Sequence, residues 1–144
     1  MNSCHKGEVY RLIKNDINYE LYLHCVKNRK HRVAMTKLRV SDHNLMIEQG
    51  RRMRPPIPRE QRICLPCKTL EDETHFLLTC CRYENRNILI QQVEQVCPNF
   101  KNIPSNDLKL SYLLSQENIE LIKQIASKIH EWFQIRKQIN SAQV

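Results

Sequence analysis

Cys64, Cys67, His75 and Cys80 restrict this chain more than any other residues, because they read C-x2-C-x7-H-x4-C within the stretch ICLPCKTLEDETHFLLTC. Two cysteines separated by two residues direct their thiolates at one point across a tight turn. A histidine and a third cysteine then complete the four soft ligands that tetrahedral zinc takes. The pattern predicts Zn2+ as a bound cofactor. The bland alternative is a set of small buried hydrophobes and a surface histidine, and the metal-type spacing weighs against it. Four protein ligands, three of them thiolates, indicate a closed structural site, since a catalytic zinc keeps one position open. His75 and Cys80 are about 140° apart on an ideal helix. Both can reach one ion only where the helix is distorted or ends at Cys80.

The charge is concentrated in the same half of the chain. From Lys27 to Lys68 there are twelve cations against Asp42, Glu48 and Glu60, which leaves +9, while the whole chain carries +8. Such segregation predicts contact with a polyanion through Arg29, Lys30, Arg32, Lys37, Arg39, Arg51, Arg52 and Arg54. The competing reading is a solvated face kept for solubility. Nucleic acid, RNA or DNA, is the expected partner, with weak sequence specificity because few aromatic residues interrupt the block.

With only two glycines in 144 residues, the chain favours helices over hairpin-rich sheet. The expected fold is mostly α: a small zinc-stapled helical domain with a zinc-knuckle-like CCHC loop in the middle and a C-terminal helical hairpin or bundle. Residues 1–19 are expected as a lead-in, 20–97 as basic helices plus the zinc module, and 98–144 as helices packing on it. A helix is expected from about Glu20, and a basic one over Lys27–Arg39 with Val33, Ala34, Met35 and Leu38 inward. Ser41 is placed to cap the next helix, with Gly50 at its end. Three prolines in RRMRPPIPR predict an extended linker from Arg51 to Arg59. Glu71, Asp72 and Glu73 suit the positive end of the turn that carries His75.

Tyr83–Cys97 reads as an amphipathic helix stopped by Pro98, and Ser105 or Asn106 caps another. Ser115 is expected to open the last helix, whose apolar stripe holds Ile119, Ile122, Ala126, Ile129 and Phe133. No apolar run nears the roughly 20 residues of a membrane span, and the first residues lack the apolar segment of a secretory signal. An odd cysteine count with metal-type spacing fits a reducing nuclear or cytoplasmic compartment.

The segments NRKHRVAMTKLRVSDHNLMIEQGR, PREQRICLPC, EDETHFLLTC and the following RY resemble the zinc-binding C-terminal region of reverse transcriptases from non-LTR (LINE-type, Jockey-like) retrotransposons. The resemblance spans about Tyr22 to Phe133. It implies that Cys64, Cys67, His75 and Cys80 are the zinc ligands, and that the chain is a terminal fragment or detached remnant able to contact an upstream reverse transcriptase domain. The family usually has proline after its last cysteine. Here Cys81 stands in that place, which leaves Cys80 and Cys81 as alternatives for the fourth ligand.

No paired-aspartate polymerase motif occurs, so the expectation is a binding module and not an enzyme. The runner-up function is a zinc-stapled protein–protein interaction module using the C-terminal amphipathic helices. A glutamate near His75 could mimic a zinc deaminase, but Glu71 and Glu73 precede the histidine where that chemistry needs one after it. Cys25 and Cys97 are expected in the core, Cys4 in a mobile tail, and His24, His31, His43 and His130 as surface or capping residues. Tyr83 and Tyr112 are expected to pack in the core more than to stack on bases.

Overall fold

A computed structural model describes residues 8–13 and 20–142. The expectations for Cys4 and for most of the 1–19 lead-in lie outside the described residues. The fold is mostly helical. In chain order it runs α1 (Glu8–Ile13), α2 (Leu21–Cys25), α3 (Arg29–Arg39), α4 (Met46–Arg52), β1 (Ile63–Cys64), β2 (Thr69–Leu70), α5 (Arg86–Val96), α6 (Asn106–Leu114) and α7 (Ile119–Ala142). Short 3-10 turns lie at Arg59–Gln61 and Phe100–Asn102, and a π turn at His75–Thr79.

The long helix α7 is the element on which the others assemble. It packs against α3, α2, α5 and α6. Its inward stripe is Leu121, Ile122, Ile125, Ala126, Ile129 and Trp132, all buried. Ile119, expected in that stripe, is 48% exposed. It occupies the first turn, before the helix has entered the core. The helix begins later than Ser115 because Ser115 closes α6, while Asn118 accepts the Leu121 N–H at 3.0 Å through its side chain and so relieves one unpaired donor of the first turn. Ser105 caps α6 as its sequence position suggests, its hydroxyl accepting the Leu108 N–H at 3.2 Å.

Trp132 is fully enclosed. Tyr83 stacks on it at 5.6 Å between centroids, and Phe76 stacks on Phe133 at 4.8 Å and meets Tyr83 edge-on at 5.0 Å. These rings join α7 to the segment just before and after Cys80. Truncating such a side chain to alanine costs about 3–5 kcal/mol. Tyr83 therefore belongs to the core, and it precedes α5 instead of opening it. Cys25 is buried and Cys97 half-buried.

The segment between α3 and the metal-type motif departs from the sequence reading. Ser41 does not cap a helix. It sits at φ 59° in the left-handed region, is buried, and donates its hydroxyl to Glu73 at 2.9 Å. Helix α4 starts five residues later, and Glu71, distant in sequence, caps it: Glu71 Oε1 accepts the Met46 N–H at 2.7 Å and its carbonyl accepts the Ile47 N–H at 3.0 Å. Gly50 lies inside α4, not beyond its end. Its missing side chain makes room for Arg62, since a Cβ there would meet Arg62 Cγ at 2.8 Å. Arg51 and Arg52 are the last residues of this helix, so the extended linker begins at Met53; the Arg54–Pro55 bond is cis.

Candidate metal centre

The first two cysteines are set by a minimal hairpin. Strands β1 and β2 pair antiparallel with Ile63 opposite Leu70 and Cys64 opposite Thr69. The turn between them closes through the Lys68 N–H on the Cys64 carbonyl at 2.8 Å, with Lys68 itself left-handed at φ 59°. This turn brings Cys67 back over Cys64. The chain then leaves β2 through Glu71, and Asp72 accepts the His75 N–H at 2.8 Å, starting the turn that holds the histidine.

That turn is the distortion that the His75–Cys80 spacing demands. It is a π turn closed by the Cys80 N–H on the His75 carbonyl at 2.8 Å, and Cys80 already has extended backbone at φ −61°, ψ 131°. A wider turn with an i→i+5 bond places residues five apart closer to one side than an α-helix would. Arg86, at the start of α5, holds the end of the turn: its guanidinium donates to the Leu77 carbonyl at 3.1 Å, to the Phe76 carbonyl at 3.2 Å and to the Cys80 carbonyl.

The ligand atoms of Cys64, Cys67, His75 and Cys80 all lie within 4.8 Å of one another. Sγ of Cys64 and Sγ of Cys80 are 3.8 Å apart. Zinc–sulfur bonds of about 2.3 Å at a tetrahedral centre set neighbouring sulfurs about 3.8 Å apart. The widest pairs would need to close by about 1 Å to hold such an ion. The histidine is oriented by its other nitrogen: Nδ1 meets the hydroxyls of Thr79 at 3.0 Å and Thr69 at 3.3 Å. Nε2 is buried with no hydrogen-bond partner. A second-sphere group that fixes one ring nitrogen and presents the other is the usual support of a histidine ligand. The donor set fits a soft divalent ion such as zinc.

Between the two candidate fourth ligands, Cys80 is the buried one inside the cluster. Cys81 is exposed. Its N–H donates to Cys67 Sγ at 3.4 Å, and its own sulfur lies 3.2 Å from the same Sγ. The electrostatics follow these positions. Burial pushes the Cys64 thiol up and the Cys80 thiol up to about 12. The Cys81 backbone N–H draws Cys67 down, and Cys81 is in turn raised by its bond to Cys67. Burial lowers His75, which favours the neutral, ligating form.

Two buried carboxylates flank the centre, and their roles could not be read from the sequence. Glu71, 1% exposed, accepts from Arg82 at 2.9 Å and from Arg136 of α7 at 2.8 Å, besides capping α4. Glu73 accepts from Ser41 and pairs with His43 at 2.8 Å. Burial would raise Glu73, but the His43 bond and charge, with the Ser41 bond, hold it below the usual carboxylate range. His43 is thus a buried partner and not a surface residue. Only Asp72 caps the turn as the acidic run suggests.

The basic residues separate into two groups. Arg29, Lys30 and Lys37 are exposed along α3, as is Arg54 in the linker. Arg39 is not at the surface. It is 2% exposed, pairs with Glu20 at 2.9 Å, donates to the Leu114 carbonyl and lies 4.9 Å over the Tyr22 ring. It binds α2 and α6 to α3 and, being enclosed, does not present its guanidinium to a phosphate as its sequence position suggests. Arg32 is half-buried and donates to the Val26 carbonyl at 2.8 Å. Arg51 pairs with the buried Glu48 at 2.7 Å, and Arg52 donates to the His43 carbonyl at 2.7 Å and to Asn44.

No protein-family model, curated protein or solved structure matches this chain. Among the described residues no helix is long and apolar enough to cross a membrane.

Proposed function

We propose that this protein is a zinc-binding, nucleic-acid-binding module in which Cys64, Cys67, His75 and Cys80 hold one structural Zn2+. The carrying observation is the convergence of Cys64, Cys67, His75 and Cys80, whose ligand atoms lie within 4.8 Å of one another, together with a His75 Nε2 that is buried and partnerless. An unpaired buried nitrogen costs about 1–3 kcal/mol, and a metal bond supplies its missing partner. Zinc here staples the β1–β2 hairpin to the π turn, and through Tyr83 and Phe76 to α7. Four protein ligands leave no open position, which favours a structural ion and a binding module over an enzyme.

The second half of the reading rests on the charge of +8 and its concentration before the metal centre. The basic surface holds RNA template or DNA target through phosphates, with weak sequence preference. In this reading the chain is akin to the C-terminal region of a LINE-type reverse transcriptase, works beside such a polymerase domain, and resides in the nucleus or cytoplasm. The runner-up, protein interaction through the C-terminal stripe, is disfavoured because that stripe is spent on the protein's own core.

Metal analysis of purified protein together with a salt-dependent filter-binding assay tests both halves. One zinc per chain, loss of helical circular dichroism on complete chelation, and RNA or DNA retention that falls with salt are expected. Unchanged melting after full metal removal sinks the structural zinc. Stoichiometric zinc with no retention at low salt leaves the zinc site standing and removes the nucleic-acid function.

A further inference from the structure

The basic residues that remain at the surface do not spread evenly. Arg29, Lys30 and Lys37 of α3 and Lys137 of α7 line one groove of about 760 Å³ between these two helices. Among the described residues no carboxylate lines the groove. Glu71 and Glu73 lie beneath its Arg136 and His43, each already paired with them. The described lining is therefore net basic, chiefly through Arg29, Lys30 and Lys37 on the α3 side. Its apolar lining includes Val33, which is 41% exposed, and Phe133, whose ring is backed by Phe76 at 4.8 Å.

We infer that this α3–α7 groove is the seat of a single-stranded nucleic-acid segment, with phosphates on Arg29, Lys30, Lys37 and Lys137 and a base against Phe133 and Val33. The inference rests on the nucleic-acid reading above and deepens it: it places the strand away from the zinc turn and the Arg54 linker. Three features favour a single strand. Packed helices have axes about 8–10 Å apart, so a cleft between them admits one strand and not a duplex. The groove volume falls within the range of about 300–1,000 Å³ that encloses a small ligand, and so suits a few nucleotides. Cations combined with an apolar ring form the usual surface for single strands, where bases are free to stack. An acidic peptide would satisfy the cations but would leave the Phe133–Val33 surface without a planar partner.

The test uses the full zinc-loaded chain and fluorescence anisotropy with a labelled oligouridine and a matched RNA duplex. Lys30→Glu with Lys37→Glu is compared with Arg54→Glu with Lys68→Glu, which changes as much charge in exposed residues outside the groove. The first pair is expected to weaken oligouridine binding at least about tenfold and to flatten the log K against log salt slope by about 1.4, the loss of two phosphate contacts. The second pair is expected to weaken binding less than about threefold. Circular dichroism and zinc content report folding, and Lys30→Gln with Lys37→Gln, expected to flatten the slope equally, serves if the charge reversal misfolds. A larger loss from the Arg54 and Lys68 pair overturns the groove while the nucleic-acid reading survives. Equal affinity for the duplex, lost in the same α3 variant, overturns the single strand. Binding of a polyglutamate peptide but of no nucleic acid overturns both this inference and the reading beneath it, as does failure to bind any probe at low salt.

Discussion

Replacing Glu71 by alanine should be among the most damaging single changes outside the Cys64, Cys67, His75 and Cys80 cluster. The carboxylate is 1% exposed, and three partners depend on it: Arg82 at 2.9 Å, Arg136 at 2.8 Å and the Met46 N–H at 2.7 Å. Both guanidiniums are themselves largely enclosed, their side chains 9% and 7% exposed. Removing one partner of a buried ion pair leaves an uncompensated charge and costs about 3–5 kcal/mol. Loss of the α4 cap adds about 1 kcal/mol, partly offset by relaxation and water entry. A net loss of about 4 kcal/mol is a large part of the roughly 5–15 kcal/mol available to a domain, and lowers the melting temperature of a chain this size by roughly 10 °C. Urea unfolding in zinc-saturating buffer measures it. Arg136→Met added to Glu71→Ala should restore part of the loss, because the orphaned charge is gone, and a double-mutant cycle should give a coupling energy above about 1 kcal/mol. A Glu71→Ala loss below about 1 kcal/mol, or strict additivity with Arg136→Met, would refute the view that this carboxylate joins α4, the post-zinc segment and α7.

Cobalt substitution distinguishes the fourth ligand: Cys80→Ala should reduce the thiolate charge-transfer absorbance by about one third, Cys81→Ala should leave it unchanged, and the reverse result assigns the corner to Cys81. Zinc binding should release about two to three protons near neutral pH, because burial keeps Cys64 and Cys80 protonated without metal and ligation requires thiolates. Affinity therefore rises with pH, and calorimetry in buffers of different ionisation enthalpy counts the protons; a pH-independent affinity contradicts the assignment. Gly50→Ala should destabilise by about 1 kcal/mol despite alanine's better helix propensity, since the new Cβ meets Arg62 Cγ at 2.8 Å and displaces a side chain bonded to the Ile57 carbonyl at 2.8 Å. A gain in melting temperature would show that Arg62 moves aside freely. Arg39→Met should lower stability and leave the salt slope of oligonucleotide binding unaltered, because Arg39 faces Glu20 and Tyr22 and not solvent; a flattened slope in binding titrations contradicts this.

Local signals carried much of this protein. The C-x2-C-x7-H-x4-C spacing named the four residues that converge, and the five-residue step from His75 to Cys80 required the distorted turn that is found there. Pro98 and Ser105 marked helix ends because proline and a capping hydroxyl act within one turn of themselves. The apolar period of α7 was legible for the same reason, although the start of its stripe was not. What only the tertiary structure decided is which polar groups go inside. Ser41, Glu71, Glu73, Arg39 and Arg136 look like surface residues in sequence, and their burial depends on partners far away, 65 positions distant for Glu71 and Arg136. Gly50 likewise answers to Arg62 and not to its own helix. A buried charge is tolerated only when another element delivers its counter-charge and hydrogen bonds, and periodicity along one segment holds no information about that delivery. The groove between α3 and α7 belongs to the same class. Each helix shows its cations in sequence, but their convergence exists only once the two helices have packed.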